Sequence, residues 1–302
     1  MIENWIILAI LAAFFQNLRS ALQKHLKGRL SDTGAAYARF LYALPLAMGY
    51  LWALQYFQNL RLPIISIEFL LYCLIGGICQ IMFTVFLLRM FSFRSFAVGT
   101  TFSKLEVAMV ALLGSIFLGD TLSLYSIVAI AISTVGVIAL SMGQSRLSWS
   151  ALVSGLTHPA TLIGLICALW LGGSVVFFRG AALSLNHDNV VMAAAFTLAI
   201  SLTIQTVIMG FYLVFREVGE ITKVVRHWRW AGSVGIAGGL ASIAWFTAFT
   251  IENAGHVRAV GQIELIFTFL VTTLIFKEKV SKIEGVGIIL VASGILILLI
   301  MT

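Results

Sequence analysis

The sequence predicts an all-α integral membrane protein of ten transmembrane helices, arranged as two inverted five-helix repeats. Three observations lead to this fold class: few charged residues, ten apolar windows of bilayer-spanning length, and acidic residues repeated at a fixed offset. Of the 302 residues, 61% are hydrophobic and only 10% are charged, whereas a soluble domain carries about a quarter charged residues. This composition excludes a soluble enzyme, a nucleic-acid-binding protein and a disordered chain.

Apolar windows between polar, glycine or proline breaks define the helices. A helix needs about 20 apolar residues to cross the hydrocarbon core, so the chain has room for ten crossings. The N-terminal window is not preceded by basic residues, so we expect a retained helix rather than a signal peptide. The ten helices are predicted near residues 4–26, 34–56, 66–90, 95–118, 122–142, 161–183, 190–215, 228–250, 256–276 and 281–301.

The chain divides near its middle. The connection at residues 143–160 is among the longest, and it separates five predicted helices from the next five. We therefore predict a first repeat at 1–142, a linker at 143–160 and a second repeat at 161–302.

A shift of 158 residues aligns the two halves without a gap over nearly forty positions. Two acids coincide at this shift: Glu106 falls on Glu264, and Asp120 falls on Glu278. Because each half has an odd number of helices, the second half enters the membrane from the opposite side. Secondary transporters with such inverted repeats form their substrate site near the bilayer midplane.

Six charged residues lie four or more residues from either end of a predicted helix, where lipid penalises them. Each costs about 2.5–3.5 kcal/mol at the centre of an inserted helix, so each must pair, face the bundle interior or line a wet cavity. They are the basic residues Arg19, Arg39, Lys104 and Arg179 and the acids Glu106 and Glu264.

The two acids are the first candidates for a site. Glu106 lies eleven residues into its predicted helix, about 16 Å along the axis and close to the midplane. Two carboxylates beside a shared cavity can bind a cationic group or take up protons. The alternative is that each is neutralised by a neighbour such as Lys104 or Arg39 and only stabilises helix packing.

Other polar and aromatic residues have two interpretations each. Arg39 can bind an anionic group or snorkel to the interface, and we expect Arg19 and Arg179 to snorkel. The glutamines inside helices border a cavity or form interhelical hydrogen bonds, and the deep tryptophans line a pocket or simply pack. These candidates are Gln16, Gln80, Gln262, Trp170 and Trp245.

Two other functional classes are less well supported. The sequence has no HExxH, GxSxG or phosphate-binding glycine motif, and its five histidines are scattered. A membrane-embedded enzyme acting on a lipid or a headgroup nevertheless remains the alternative to a transporter. A channel filter usually needs a ring of like groups about a symmetry axis, which two inverted halves do not provide.

At the acidic repeats, Leu105–Leu122 and Ile263–Val280, the chain resembles the EamA family of the drug/metabolite transporter superfamily. The family carries an acid in each repeat, matched here by Glu106 and Glu264, and commonly a proline after it. Val107 and Leu265 stand at the proline positions, so the sequence does not support proline kinks there. The resemblance covers essentially the whole chain and implies ten spans in two repeats.

The resemblance also implies a function: a bacterial inner-membrane carrier that moves small metabolites, often outward, by alternating access and often with protons. The mixed charges favour a zwitterion such as an amino acid as substrate. We expect no enzymatic activity, cofactor, metal or nucleic-acid partner, and we expect a monomer in the lipid bilayer. The candidates for substrate or proton contact are Lys104, Glu106, Gln262 and Glu264, followed by Arg39, Gln16, Gln80, Trp170 and Trp245.

The membrane orientation has two conflicting indications. Thirteen Lys and Arg residues lie at one predicted membrane face, and only Arg61 and Arg258 lie at the other. The positive-inside rule then places both termini outside the cytoplasm, whereas the family tendency places both inside.

Overall fold

A computed structural model shows an all-helical protein and describes residues 3–23, 26, 29–90, 101–144, 150, 159–267 and 281–301. Nine segments among these residues are long and apolar enough to cross a membrane. The helices, numbered in chain order, are α1 (Asn4–Gln23), α2 (Asp32–Gln58), α3 (Ile67–Met90), α4 (Glu106–Leu118), α5 (Leu124–Gln144), α6 (Pro159–Ser184), α7 (Val190–Arg216), α8 (Glu220–Arg226), α9 (Trp228–Ile251), α10 (Ala254–Gly261) and α11 (Lys282–Met301).

The predicted helical membrane fold is confirmed, and most helix ends agree within two or three residues. The ninth predicted helix, at 256–276, is described only as far as residue 267. Local capping explains some of the shifts. Helix α2 begins at Asp32 because the Ser31 side chain accepts a hydrogen bond from the Gly34 N–H at 2.9 Å.

The helices pack into two compact units. Unit 1 contains Met1–Ile81 and Phe177–Glu252, and unit 2 contains Met82–Val176 and Asn253–Thr302. Each unit therefore combines segments from both halves of the sequence. The predicted repeats, 1–142 and 161–302, are repeats of sequence and not units of packing, so their limits stay a prediction.

In unit 1, helix α9 packs against α1 and α2 through glycines. Tyr42 of α2 contacts Gly235, and Leu46 contacts Gly239. From the first contact to the second, the position moves four residues toward the C-terminus on both helices, so α2 and α9 run parallel. Helices α1 and α9 run antiparallel, because Arg19 contacts Gly238 whereas Gln16, earlier on α1, contacts Trp245, later on α9. Helix α9 corresponds to the eighth predicted span, and the eighth span of an alternating bundle is expected to run parallel to the second and antiparallel to the first.

In unit 2, helices α5 and α11 pack antiparallel at backbone-to-backbone distance. A Cβ atom on Gly136 would lie 2.7 Å from the Val291 nitrogen, and one on Gly287 would lie 2.6 Å from the Leu140 nitrogen. Gly294, which the 158-residue shift places on Gly136, contacts Ala129 and Ser133 in the same interface. Small residues at these positions allow the close approach that lipid-embedded helices use for packing.

Two acids after α7 hold the start of α2. Glu217 accepts hydrogen bonds from the hydroxyls of Ser31, at 2.6 Å, and Thr33, while Glu220 accepts one from the Ser31 backbone N–H. Glu220 also pairs with Lys223 at 2.9 Å. Negative charge at a helix N-terminus is favourable because it offsets the helix dipole. These contacts therefore fix the α7–α8 connection onto α2.

Ionisation of Glu220 should make the stability of the protein depend on pH. Burial of its carboxyl raises the pKa, but the hydrogen bonds from Lys223 and Ser31 outweigh this and hold the pKa below its ordinary value of 4.5. The stabilisation is therefore complete well above pH 4.5 and is lost as the pH falls through the lower, folded-state pKa. We expect Glu220→Gln to lower the free energy of unfolding by about 1–3 kcal/mol at neutral pH and to weaken its decline in acid.

Thermal unfolding of the purified protein in detergent, measured from neutral to acidic pH, checks this expectation. Glu68→Gln provides the control, because Glu68 is exposed at the start of α3, and its neutral-pH effect should stay within about 0.5 kcal/mol. An unchanged acid response of the Glu220 variant would contradict the assignment.

Candidate functional site

The fourth predicted helix is interrupted immediately before its acid. Residues 101–103 are helical, and Lys104 and Leu105 then form a turn. The Lys104 N–H donates to the Thr101 carbonyl at 3.2 Å, and the Leu105 N–H donates to the Phe102 carbonyl at 3.1 Å. Such i→i−3 bonds are those of a tight 3₁₀ turn, which inside a longer helix often marks a functional hinge. Helix α4 resumes at Glu106.

The ninth predicted helix has the same interruption at the equivalent place. Helix α10 ends at Gly261, the Gln262 N–H donates to the Ala259 carbonyl at 3.2 Å, and helical backbone resumes at residue 263. The shift of 158 residues places Gln262 on Lys104. Both interruptions lie in unit 2 and occur without proline, so each acid stands at the start of a renewed helical segment.

A buried ion pair joins the two segments. The Nε and Nη2 atoms of Arg258, on α10, both donate to Oε1 of Glu106, the Nε bond measuring 3.1 Å. The Arg258 and Glu106 side chains are only 7% and 6% exposed. Glu264 is also buried and attracts the Arg258 charge. Glu106 is therefore neutralised by Arg258, and not by Lys104 or Arg39 as the alternative interpretation of the sequence suggested.

Polar groups next to this pair offer further contacts. The Gln262 side chain is 1% exposed, and its Nε2 donates weakly to the Arg258 carbonyl at 3.5 Å. Its Oε1 has no hydrogen-bond partner in the part of the chain that the structure describes. Lys104 is half-buried at the first interruption. Two acids, the guanidinium of Arg258 and one available amide oxygen can together bind a solute that carries both charges.

The sequence predicts Arg258 at a membrane face and not among the candidate site residues, whereas the structure buries it. Asn253 caps α10 by accepting a hydrogen bond from the Gly255 N–H at 2.9 Å, so the helix begins two residues earlier than predicted. Arg258 then lies within the helix among fully buried neighbours such as Ala254 and Ala259. One signal was available: Arg258 and Gln262 are four residues apart and share a helix face.

A second cluster of candidates lies in unit 1. A Cβ atom on Gly238 would lie 3.2 Å from Cδ of Arg19 and 3.6 Å from Cγ of Arg39. Both arginines are half-buried, and α9 packs over the stem of Arg19, whose snorkelling to the interface stays a prediction. One turn earlier on α1, Gln16 accepts a hydrogen bond from Nε1 of Trp245 at 3.1 Å, and the Trp245 ring stacks on Phe249 at 5.3 Å.

The remaining candidates fall elsewhere. Gln80 on α3 accepts a hydrogen bond from Gln205 on α7 at 2.5 Å, which is the interhelical bond of the alternative interpretation. Trp170 on α6 is half-buried and makes no ring contact with another described residue. Arg179 caps the end of α9, because its Nε donates to the carbonyls of Phe249 at 2.8 Å and Glu252 at 3.1 Å. Its snorkelling to the interface stays a prediction.

Comparison with known families now decides the class of protein. The profile of the EamA-like transporter family matches residues 3–142 and 158–300. The chain belongs to the EamA-like transporter family. It is therefore a multi-pass membrane transporter of the drug/metabolite transporter type, and the resemblance seen in the sequence is confirmed.

Relatives and solved structures add the fold but no substrate for this EamA-like transporter. Among curated proteins, none matches the sequence. A solved structure described as "Crystal structure of protein" matches with a TM-score of 0.75 and 12% identity over 100% of each chain. At this identity the likeness shows the fold alone.

Proposed function

We propose that this EamA-like transporter is a secondary carrier that exports small zwitterionic metabolites, amino acids among them, by alternating access. The observation that carries the proposal is the pair of equivalent helix interruptions, each followed by a buried acid, Glu106 and Glu264, with Arg258 in contact with the first. Interrupted helices that point polar groups into the protein are how inverted-repeat transporters form their substrate and coupling-ion sites. The proposal includes a monomer in a bacterial inner membrane.

The chemistry of these residues fits a zwitterion coupled to protons. The ammonium group of an amino acid can bind a carboxylate, and its own carboxylate can bind Lys104 or Arg258. Glu264 shares the attraction of Arg258 with Glu106, so a proton on Glu264 leaves the ion pair intact. Binding of a cationic group and binding of a proton then compete for the same acid, which is the requirement for coupling the two.

Counterflow in proteoliposomes tests transport. Vesicles containing the purified protein are loaded with an unlabelled amino-acid mixture, and entry of labelled amino acids is followed one at a time. We expect at least one amino acid to accumulate transiently above its level in protein-free vesicles and to be recovered chemically unchanged. Absence of counterflow across the whole panel would refute the proposed substrate class, and turnover of the vesicle lipid would favour the enzyme instead.

Glu264→Gln tests the coupling to protons. Because the cationic group and the proton share this acid, we expect the variant to show weaker counterflow and to lose the acceleration of uptake by an imposed pH gradient. Glu68→Gln, on the exposed start of α3, is the control and should respond to the gradient as the wild type does. A Glu264 variant with an unchanged gradient response would show that this acid is not the coupling group.

A further inference from the structure

The arginines of unit 1 form a positively charged site separate from the acidic residues of the proposed coupling mechanism. Arg19 of α1 and Arg39 of α2 both pass over Gly238 of α9, with side-chain carbons within 4 Å of the point where a Cβ atom would stand. A larger residue at 238 would displace both arginine stems. The absence of a side chain there therefore brings two basic residues from different helices to one place.

This arrangement brings two like charges close together. The charges of Arg19 and Arg39 repel each other. Arg39 makes no ion pair or hydrogen bond with any residue that the structure describes, and its guanidinium lies 5.3 Å from the centre of the Phe40 ring. A charged group within a transmembrane segment is costly unless something offsets it. Both residues are half-buried, and Nε of Arg19 is itself buried.

We infer that Arg19 and Arg39 bind the oxyanion group, a carboxylate or a phosphate, of the transported solute. The planar guanidinium presents paired N–H donors that match the oxygens of either group. A bound oxyanion would also remove the repulsion between the two arginines. The inference deepens the proposed transport function and rests on it, since it gives the transported solute a second anion-binding site, within unit 1.

The neighbouring residues indicate an organic anion and not an inorganic one. Along α9, Trp245 lies seven residues beyond Gly238, which is about 10 Å at 1.5 Å per residue. Gln16 lies on the same side of α1 as Arg19 and contacts Trp245. A small solute with its charged group at the arginines can therefore direct an apolar or aromatic body toward Gln16 and Trp245.

Three probes of one shape separate the possibilities: benzoate, phenyl phosphate and the neutral isostere benzamide. The melting temperature of the purified protein in detergent is measured against probe concentration at constant ionic strength, since a ligand of the folded state raises it. We expect saturable stabilisation by benzoate, phenyl phosphate or both, and none by benzamide. Benzoate alone would indicate carboxylate solutes, and phenyl phosphate alone would indicate phosphorylated ones. Equal stabilisation by benzamide, or none by either anion, would overturn the inference.

Variants connect the response to the two arginines. Arg39→Gln should abolish the anion response and, without anion, melt at or above the wild-type temperature because the repulsion by Arg19 is gone. An arginine with a purely structural role would give the opposite result, a lower melting temperature. Arg39→Lys keeps the charge and should bind about tenfold more weakly. Arg216→Gln, on the exposed end of α7, should respond as the wild type does.

The two failures can be told apart because this binding needs no membrane gradient. If counterflow fails while the anions still bind through Arg39, the transport function is refuted and the site stands. If Arg39→Gln keeps the anion response while counterflow succeeds, the site is refuted and transport stands.

Discussion

Glu106→Gln is expected to abolish transport and to lower the free energy of unfolding by about 3 kcal/mol, because Arg258 then keeps a buried charge without its carboxylate. Breaking a buried ion pair typically costs about 3–5 kcal/mol. The lower end applies here, since Glu264 continues to attract Arg258. Transport is lost because Glu106, at the start of α4, is one of the two acids that the proposed mechanism requires. Unfolding in detergent and counterflow in proteoliposomes measure the two effects separately.

A double variant separates stability from function. Adding Arg258→Met to Glu106→Gln removes the orphaned charge and should recover part of the lost stability, because a buried pair can be replaced by apolar groups at little cost, whereas Glu264 loses its attraction to Arg258. Transport should not return, since both charges are absent. If the single variant transports normally between pH 6 and 8, Glu106 has only a packing role. If the double variant is no more stable than the single one, the ion pair is not the cause of the loss.

Gly287→Ala is expected to cost about 3 kcal/mol, although it adds a single methyl group. The new Cβ atom would lie 2.6 Å from the Leu140 nitrogen and 2.8 Å from the Gly136 carbonyl oxygen. Both are backbone atoms of α5 that cannot rotate away, so the helices must separate along their interface. Overpacking of a filled site typically costs about 1–3 kcal/mol, and the upper end applies where backbone meets backbone.

Gly285→Ala is a matched control on the same helix. A Cβ atom at Gly285 meets nothing within 4 Å, and alanine is a better helix former than glycine by about 0.8–1.0 kcal/mol. This variant should therefore be unchanged or slightly more stable. Melting temperatures of the two variants in one detergent measure the contrast. Equal destabilisation by both would show that helix α11, and not its contact with α5, is sensitive to the substitution.

The fold was predictable because its cause is visible along the chain. Hydropathy and length define a membrane helix without reference to any neighbour. Local caps then set some of the ends, as Asn189 does by accepting a hydrogen bond from the Met192 N–H at 3.0 Å. The burial of Glu106 and Glu264 was predictable for the same reason, since charge inside an apolar segment must be turned away from lipid.

The partners of the charged residues were not predictable from one sequence. Arg258 pairs with Glu106 across 152 positions, and this depends on how α10 packs against α4. Similarly, Arg19 and Arg39 meet because Gly238 leaves space on a third helix. Such contacts are properties of packing, which hydropathy does not encode. The helix interruptions at Lys104 and Gln262 also have no proline to signal them, and only the second has a glycine beside it, Gly261.

The absence of proline at these interruptions gives them a property of their own. Val107 and Leu265 keep the backbone N–H that proline would lack, so the i→i−3 bonds can be exchanged for i→i−4 bonds with nothing in the covalent structure to prevent it. A 3₁₀ turn advances 120° per residue and an α-helix 100°, so each residue converted rotates the following segment by about 20° about its axis. A change in hydrogen-bond register over one or two residues would therefore swing the carboxylates of Glu106 and Glu264 sideways while both helices stay in place.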